Sequence, residues 1–275
     1  MGLNYHNLKK HRRNFRDITG LKVEEFEKNR RKSASRMGES RKTKKNAMEE
    51  SRSYRPWKIC VILYYRAYMT QRFLGCVFKL HNANICLLLK KMEPLLARKI
   101  TIKKDRTLTP ERILKILADV TEQPIQRPKD NKKRKKSYSG KKKTTTIKTE
   151  IVIEENGRIM SISRSHRGRM HDFRIRKQEK FLPVDSIKHA DSGYQGWQKL
   201  QKNVVIPYKK YRKKPLTEEQ KEHNRELASF RMRVENKIRE LKIFKILSHV
   251  YRNFQKKYNM RFNIIAGLVN LRHGF

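Results

Sequence analysis

The chain has 275 residues, and its 70 Lys and Arg against 26 Asp and Glu give a formal net charge of +44. A chain this basic binds polyanions through phosphate contacts and counterion release, so nucleic acid is the expected partner. A ribosomal or histone-like basic protein fits the same charge, but such a protein needs no clustered acidic residues. Hydrophobic residues make up 36% of the chain, below the roughly 45–50% of an average domain, so we expect a modest core with solvated flanks.

Cysteine content and apolar runs exclude several other classes of protein. The three cysteines, Cys60, Cys76 and Cys86, are too few for a disulfide scaffold or a paired zinc site. The longest uncharged apolar stretches, residues 59–65 and 85–89, fall far short of the roughly 20 residues that span a bilayer. The first fifteen residues have no apolar segment of the kind found in signal peptides. We therefore expect a cytoplasmic, nucleoid-associated protein with no membrane segment.

The first hundred residues are predicted to be helical wherever they are ordered. Residues 1–55 are polar and basic, with one helix starting near residues 20–26. Three short helices follow at residues 59–69, 70–78 and 83–91; Thr70 is the N-cap of the second, and Pro94 closes the third. Two short helices joined by a turn of about four residues match a helix-turn-helix, although small helical bundles have the same pattern. Residues 56–105 are therefore a helix-turn-helix-like domain whose last helix either reads DNA or packs in a core.

From about residue 111 the pattern changes to an α/β order. Strands are predicted at residues 113–120, 148–155, 158–165, 187–191 and 204–206. Asn156-Gly157 predicts a type I′ hairpin turn between the second and the third strand. Helices are predicted at residues 170–180, from the N-cap Thr217 to about residue 247, and at residues 251–271. The order predicts a mixed sheet with helices on its faces over residues 106–275.

Three acidic residues have an unusual context in this basic chain. Asp119 and Asp191 each lie at the end of a predicted buried strand, and Glu235 lies in the long predicted helix. Two Mg²⁺ ions about 3.5–4 Å apart activate water and stabilise the leaving oxygen in phosphodiester cleavage, and a few convergent carboxylates hold them. At 100° per residue, Arg231, Glu235 and Lys242 fall within about 40° on one helix face. An ordinary salt-bridged surface helix has the same spacing, so this helix alone does not show whether Glu235 binds a metal.

Several separate motifs, in order, resemble those of bacterial insertion-sequence transposases of the DDE superfamily. More narrowly, they resemble the Harbinger-related endonuclease branch with a Tyr-Arg-Glu-Lys-type signature. The resemblance covers roughly residues 70–275. The motifs are Asp119-Val120-Thr121-Glu122-Gln123-Pro124, Tyr138-Ser139-Gly140-Lys141-Lys142-Lys143, His171-Asp172-Phe173, Ala190-Asp191-Ser192-Gly193-Tyr194, Arg231-x3-Glu235-x6-Lys242 and Tyr251-Arg252-Asn253.

The resemblance implies a ribonuclease-H-like catalytic domain: a mixed sheet flanked by helices, preceded by a small all-helical helix-turn-helix region. It implies that Asp119, Asp191 and Glu235 are catalytic and bind two Mg²⁺ ions, for which Mn²⁺ can substitute. Arg231 and Lys242 take the basic positions of the signature and contact DNA. The implied reaction is hydrolysis at the inverted-repeat ends of the element, followed by transesterification of each 3′-OH into target DNA. Pairing of two ends implies a dimer or higher oligomer.

Other residues are expected to support the site. Lys141, Lys142 and Lys143, in the basic run of residues 129–143, are expected to follow DNA phosphates, unless this run is simply a solvated loop. Asn82 and Asn84, at the start of the last short helix, are predicted DNA contacts.

Four further positions leave alternatives open. His171 and Asp172 are auxiliary candidates, and Asp172 is an alternative to Asp191 as the second acid. Tyr194 either contacts DNA near the metals or is buried, and Trp197 either stacks on an unpaired base or belongs to the core.

One departure from the signature leaves other functions open. The tyrosine three residues before the signature arginine is Ala228 here. A catalytically impaired DNA-binding remnant or repressor of such an element is therefore an alternative. A ribonuclease-H-type nuclease without strand transfer is another, since it shares the metals but needs no helix-turn-helix.

Overall fold

The computed structural model describes residues 5–28, 55–100, 102, 115–210, 215–253 and 255–275. Residues 1–4 and 29–54 of the predicted basic N-terminal region and the first residues of the predicted strand at 113–120 lie outside this part of the chain. The protein divides into two compact units. One comprises residues 1–101, 243–247 and 263–275, and the other comprises residues 102–242 and 248–262.

The first unit is helical. Its helices are α1 (Tyr5–Lys10), α2 (Arg12–Thr19), α3 (Val23–Lys28), α4 (Arg55–Ala67), α5 (Gln71–Phe78) and α6 (Asn82–Ile100). Aromatic side chains hold its N-terminal part together, with the rings of Tyr5, Phe15 and Phe26 in mutual contact and Ile59 of α4 in the same cluster. The short 3₁₀ turn Lys245–Leu247 packs against α4.

Helices α5 and α6 meet at 98°. The predicted N-cap of α5 is confirmed, since the Thr70 hydroxyl accepts a hydrogen bond from the Phe73 N–H at 3.2 Å. The turn needs a residue without a side chain at Gly75, because a Cβ there would collide with the carbonyl oxygen of Leu80. The predicted end of α6 near Pro94 is wrong: α6 continues to Ile100 with Pro94 inside it. Met92 and Leu96, on either side of the proline, are buried, and their packing stabilises the helix through Pro94.

No single helix of the described residues is long and apolar enough to cross a membrane. Taken together, α5 and α6 meet the length and composition criteria, but only as a bent pair.

The second unit is built on a mixed sheet. Its strands are β1 (Lys115–Pro124), β2 (Tyr138–Ser139), β3 (Thr144–Glu154), β4 (Ile159–Ile162), β5 (His166–Arg167), β6 (Ile187–Ala190) and β7 (Val204–Val205). The order is β2-β3-β1-β6-β7, and β4 and β5 also pair with β3. The pair β1–β3 is antiparallel, whereas β1–β6 and β6–β7 are parallel.

Helices flank this sheet. They are α7 (Asn131–Ser137), α8 (Asp172–Gln178) and α9 (Glu218–Lys242). A further helix, α10 (Tyr258–Arg272), is divided between the two units. Helix α9 packs on β1, β3 and β6. A core cluster that includes Ile116, Val152 and Ala190 fills the interior. The predicted ribonuclease-H-like α/β class, a mixed sheet flanked by helices with a helical region before it, is confirmed.

The β3–β4 hairpin differs from the predicted type I′ turn. A type I′ turn needs positive φ at both central residues, but here only Gly157 has one, at φ +85°. The Gly157 N–H donates to the Glu154 carbonyl, and the Glu154 N–H donates to the Arg158 carbonyl, both at 2.9 Å. The loop therefore has three residues and ends in a left-handed glycine, a common alternative for a hairpin of this length.

Two predicted segments have other bounds in the structure. The basic run at residues 129–143 is not simply a loop, since it contains α7, whose N-cap Asp130 accepts from the Lys133 N–H at 2.6 Å. The long helix begins after Thr217 as predicted, with the Gln220 N–H donating to the threonine hydroxyl at 3.3 Å. It ends at Lys242 rather than near residue 247.

Candidate active site

Asp119 and Asp191 are brought together by the register of β1 and β6. The last residues paired between these parallel strands are Ala118 and Ala190, so each aspartate is the next residue along its own strand direction. Asp119 does not end its strand as predicted. It lies in the middle of β1, because pairing with β3 continues as far as Pro124. What ends at Asp119 is the pairing with β6, and that opening leaves room for both carboxylates.

Backbone amides orient both aspartates. One oxygen of Asp119, Oδ1, accepts a hydrogen bond from the Val120 N–H at 2.7 Å. Oδ1 of Asp191 accepts from the Ser192 N–H at 2.6 Å, and Asp191 caps the 3₁₀ turn Ser192–Tyr194. The second oxygen of each carboxylate takes no part in these bonds.

Helix α9 carries both Glu235 and Arg231, and Arg231 contacts both Glu235 and Asp191. Nη1 of Arg231 lies 3.1 Å from Oδ1 of Asp191, and Nη2 lies 3.7 Å from Oε1 of Glu235. The Glu235 side chain is 54% exposed, whereas that of Arg231 is 26% exposed. One guanidinium therefore joins the acid after β6 to the acid on the helix.

The pKa of Asp119 is raised to about 6, first by burial. The Val120 amide and the Arg231 charge act in the opposite direction, whereas the negative charges of Asp191 and Asp172 add to the rise. Arg231, Asp191 and Asp172 are thus close enough to Asp119 to influence its ionisation. A carboxyl group that is costly to ionise alone is a good partner for a cation.

Asp172, the alternative second acid, is paired with a lysine. It is the first residue of α8, and its Oδ1 lies 2.8 Å from Nζ of Lys148. Lys148 also lies 3.6 Å from Oε1 of Glu122. His171 precedes α8 and is exposed, and its side chain makes no capping hydrogen bond. The geometry favours Asp191, which directly neighbours Asp119 across the sheet.

A buried ion pair lies behind the site, and the sequence analysis did not predict it. Nη1 of Arg176 in α8 lies 2.6 Å from Oε2 of Glu150 in β3, and both side chains are almost inaccessible to solvent. Burial raises the pKa of Glu150 to about 7, while Arg176 and the Tyr194 hydroxyl lower it. The pair connects β3, α8 and the turn that follows Asp191. Only the three-dimensional register could reveal it, because 26 residues separate the partners.

The two aromatic candidates near Asp191 are core residues. Tyr194 is 0% exposed and Trp197 is 1% exposed, and both belong to the cluster under the sheet. The Trp197 indole N–H donates to the side chain of Gln201 at 3.1 Å. Neither ring is therefore free to stack on a base at the surface.

Basic side chains border the acids. Burial lowers the pKa of Lys242 at the end of α9, and the charges of Lys142 and Lys141 lower it further, while Asp119 and Glu122 raise it. Lys242 therefore lies between the acids and the basic turn that follows β2. Lys141, Lys142 and Lys143 are exposed, and the Lys142 N–H donates to the Ser139 hydroxyl at 3.2 Å, which fixes the turn.

In the helical unit, the two predicted DNA contacts lie in the first turn of α6. Asn84 is exposed and Asn82 is half-buried.

The donor chemistry of the three acids fits a hard divalent cation, because carboxylate oxygens are the ligands that Mg²⁺ prefers. Among the residues that the structure describes, however, no three His, Cys, Asp or Glu side chains form a ready-made metal cluster. The Arg231 guanidinium contacts both Asp191 and Glu235.

Comparisons with known proteins agree with this architecture. Residues 118–270, more than half of the chain, match the family described as DDE superfamily endonuclease. The chain is 40% identical over 217 residues to the probable transposase for insertion sequence element IS702 of Microchaete diplosiphon, an alignment that covers 77% of this chain and 78% of that protein. No solved structure matches the chain significantly.

Proposed function

The chain belongs to the DDE superfamily of endonucleases, as an insertion-sequence transposase, and we propose that it binds the inverted-repeat ends of its element. It cuts these ends by metal-dependent hydrolysis. It then joins the 3′-OH ends to target DNA by transesterification. The observation that carries this proposal is the side-by-side position of Asp119 and Asp191 where the β1–β6 pairing ends. The contact of Arg231 with both Asp191 and Glu235 adds the third acid.

Asp119, Asp191 and Glu235 would hold the divalent ions, two Mg²⁺ or Mn²⁺ per site. When bound, such ions supply an activated water and stabilise the leaving oxygen. The protein's part is positional: backbone amides fix one oxygen of each aspartate, and the rigid sheet holds the two carboxylates in register.

The lysines beside the acids are the proposed contacts for the DNA backbone. The side chains of Lys141, Lys142 and Lys143 are exposed on one turn. The charges of Lys141 and Lys142 lower the pKa of Lys242, and the charge of Asp119 raises it, so Lys242 is near both groups. A phosphate bound by this turn would lie next to the carboxylates. Phosphate contacts position DNA without reading its sequence, which suits target DNA of varied sequence.

Sequence reading is assigned to the helical unit. The 98° angle between α5 and α6 and their three-residue turn fit the helix-turn-helix, whose second helix enters the major groove. Asn82 and Asn84 in the first turn of α6 are at the position where such helices contact base edges. In this view residues 56–105 bind the ends, residues 106–275 catalyse, and residues 1–55 add basic contacts, in a cytoplasmic protein that works on the nucleoid as a dimer or larger assembly.

A catalytically impaired DNA-binding remnant is the second candidate. It is favoured by Ala228, which replaces the tyrosine of the signature and lies exposed on α9, one turn before Arg231. An alanine there offers no hydroxyl or ring to DNA. All three acids are retained, which favours the active enzyme.

Incubation of the protein with Mg²⁺ and end-labelled DNA from the flanks of its gene separates these functions. Nicking that is lost in Asp119→Asn, Asp191→Asn and Glu235→Gln supports the catalytic site. A matched control is Glu240→Gln, because Glu240 is on the same helix but contacts Lys237 instead. Joining of the 3′ end to a second duplex identifies a transposase, and nicking without joining identifies a nuclease. DNA binding without cleavage in the presence of Mg²⁺ or Mn²⁺ supports the catalytically impaired remnant.

A further inference from the structure

Arg231 contacts two of the three proposed metal ligands. Its guanidinium lies 3.1 Å from Asp191 and 3.7 Å from Glu235, and its charge also lowers the pKa of Asp119. It thus places one positive charge in contact with two of the acids and near the third. Its only role implied by the signature is a DNA contact.

The direction of this side chain is specific to its position on α9. Arg233, two residues further along, contacts a different group: its Nη1 lies 3.4 Å from the Glu155 carboxylate and donates to the Glu155 carbonyl at 3.0 Å. One arginine of the helix is therefore directed at the catalytic acids and the other at the end of a neighbouring hairpin.

A guanidinium and a metal ion compete for the same oxygens. Mg²⁺ needs carboxylate oxygens at about 2.0–2.1 Å in a near-octahedral shell, and Oδ1 of Asp191 already has contacts with the Ser192 amide and Arg231. A positive charge a few ångströms from a divalent cation also repels it.

We propose that Arg231 is an internal counterion, which holds Asp191 and Glu235 together before the metal binds and which a divalent cation must displace from them. The inference rests on the proposed metal site and adds a positioning residue to it. Once displaced, Arg231 stays on the helix face that carries Lys242 and becomes available for a DNA phosphate. Metal loading and DNA contact are thereby coupled through one side chain.

The test is Mn²⁺ binding to the full-length protein without DNA, measured from the electron paramagnetic resonance signal of free Mn²⁺. Arg231→Gln should bind Mn²⁺ about five- to tenfold more tightly than wild type, since it loses partly exposed ion pairs that compete with the metal. Arg231→Met, which also removes the charge, should behave in the same way and provides a second folded variant. The control Arg233→Gln should bind as wild type does.

Mn²⁺ affinity that stays equal or becomes weaker in both charge-removing Arg231 variants overturns the inference, even if Asp119→Asn and Asp191→Asn weaken binding and so support the metal site. If neither the wild type nor the Arg231 variants bind Mn²⁺, or if the aspartate variants bind as wild type does, both the metal site and the counterion role fail. Circular dichroism of each variant checks that the comparison is between folded proteins.

Discussion

The buried pair between Glu150 and Arg176 offers a sharp test of how the catalytic unit is held together. The two side chains are 1% and 4% exposed, and their charged atoms lie 2.6 Å apart. Glu150→Gln leaves the Arg176 guanidinium buried without a counter-charge. Removal of one partner of a buried ion pair costs about 3–5 kcal/mol, and we expect a free energy of unfolding that is lower by about this amount at pH 8.

The magnitude should depend on pH. Burial raises the pKa of Glu150 from 4.5 to about 7, so the folded wild type retains a proton that its unfolded chain releases, and its unfolding free energy falls as the pH rises from about 4.5 to 7. Glutamine does not titrate, so the difference in unfolding free energy between the wild type and Glu150→Gln should be larger at pH 6 than at pH 8.

Urea unfolding followed by tryptophan fluorescence measures this difference. Trp197 is 1% exposed and its ring lies 5.7 Å from the Arg176 guanidinium, so in a Trp57→Phe background it reports on the catalytic unit. The control is Glu154→Gln, since Glu154 lies 3.7 Å from Arg158, which is 38% exposed, and such a pair contributes at most about 1 kcal/mol. A cost at pH 8 that does not exceed the control would refute the reasoning.

Three further predictions concern the turn, the DNA track and the acid centre. Gly75→Ala should destabilise the helical unit, because its Cβ would meet the Leu80 carbonyl; thermal unfolding by circular dichroism measures the loss, and an unchanged midpoint would count against the tight turn. The double variant Lys141→Glu, Lys142→Glu should bind DNA more weakly, about equally for all sequences, and the salt dependence of its binding should be shallower. Fluorescence anisotropy at several salt concentrations measures both effects. Weakening that depends on the DNA sequence would contradict a phosphate role. Burial raises the pKa of Asp119 from 3.8 to about 6, so the folded protein retains a proton that the unfolded chain releases, and the stability from this group is lost as pH rises from about 4 to 6. In Asp119→Asn without metal, the unfolding free energy from urea titrations should fall less between these pH values than in the wild type. An equal fall in the wild type and the variant would contradict the raised pKa of Asp119.

Local signals in the sequence predicted much of the fold. Thr70 and Thr217 cap their helices as expected, because a hydroxyl before an apolar or acidic first turn satisfies free backbone amides. The strand before Asp191 is confirmed at Ile187–Ala190. A short apolar run bounded by turn residues was sufficient for this prediction.

Non-local pairing accounts for what was missed. The position of Asp119 in mid-strand depends on where β6 stops pairing, which the residues around Asp119 do not encode. The contact of Lys148 with Glu122 follows from their being opposite each other in the β1–β3 register. Continuation of α6 past Pro94 depends on buried neighbours that outweigh the local preference of proline.

The most direct test of the central claim is a change in metal preference when one of the acids is replaced by cysteine. A thiolate is a softer ligand than a carboxylate and suits Mn²⁺ better than Mg²⁺. If Asp191 binds the metal, Asp191→Cys should cleave element-end DNA with Mn²⁺ but not with Mg²⁺, while Asp191→Ala should be inactive with both. A cysteine variant whose cleavage shows the same preference between the two metals as the wild type would contradict direct ligation by Asp191.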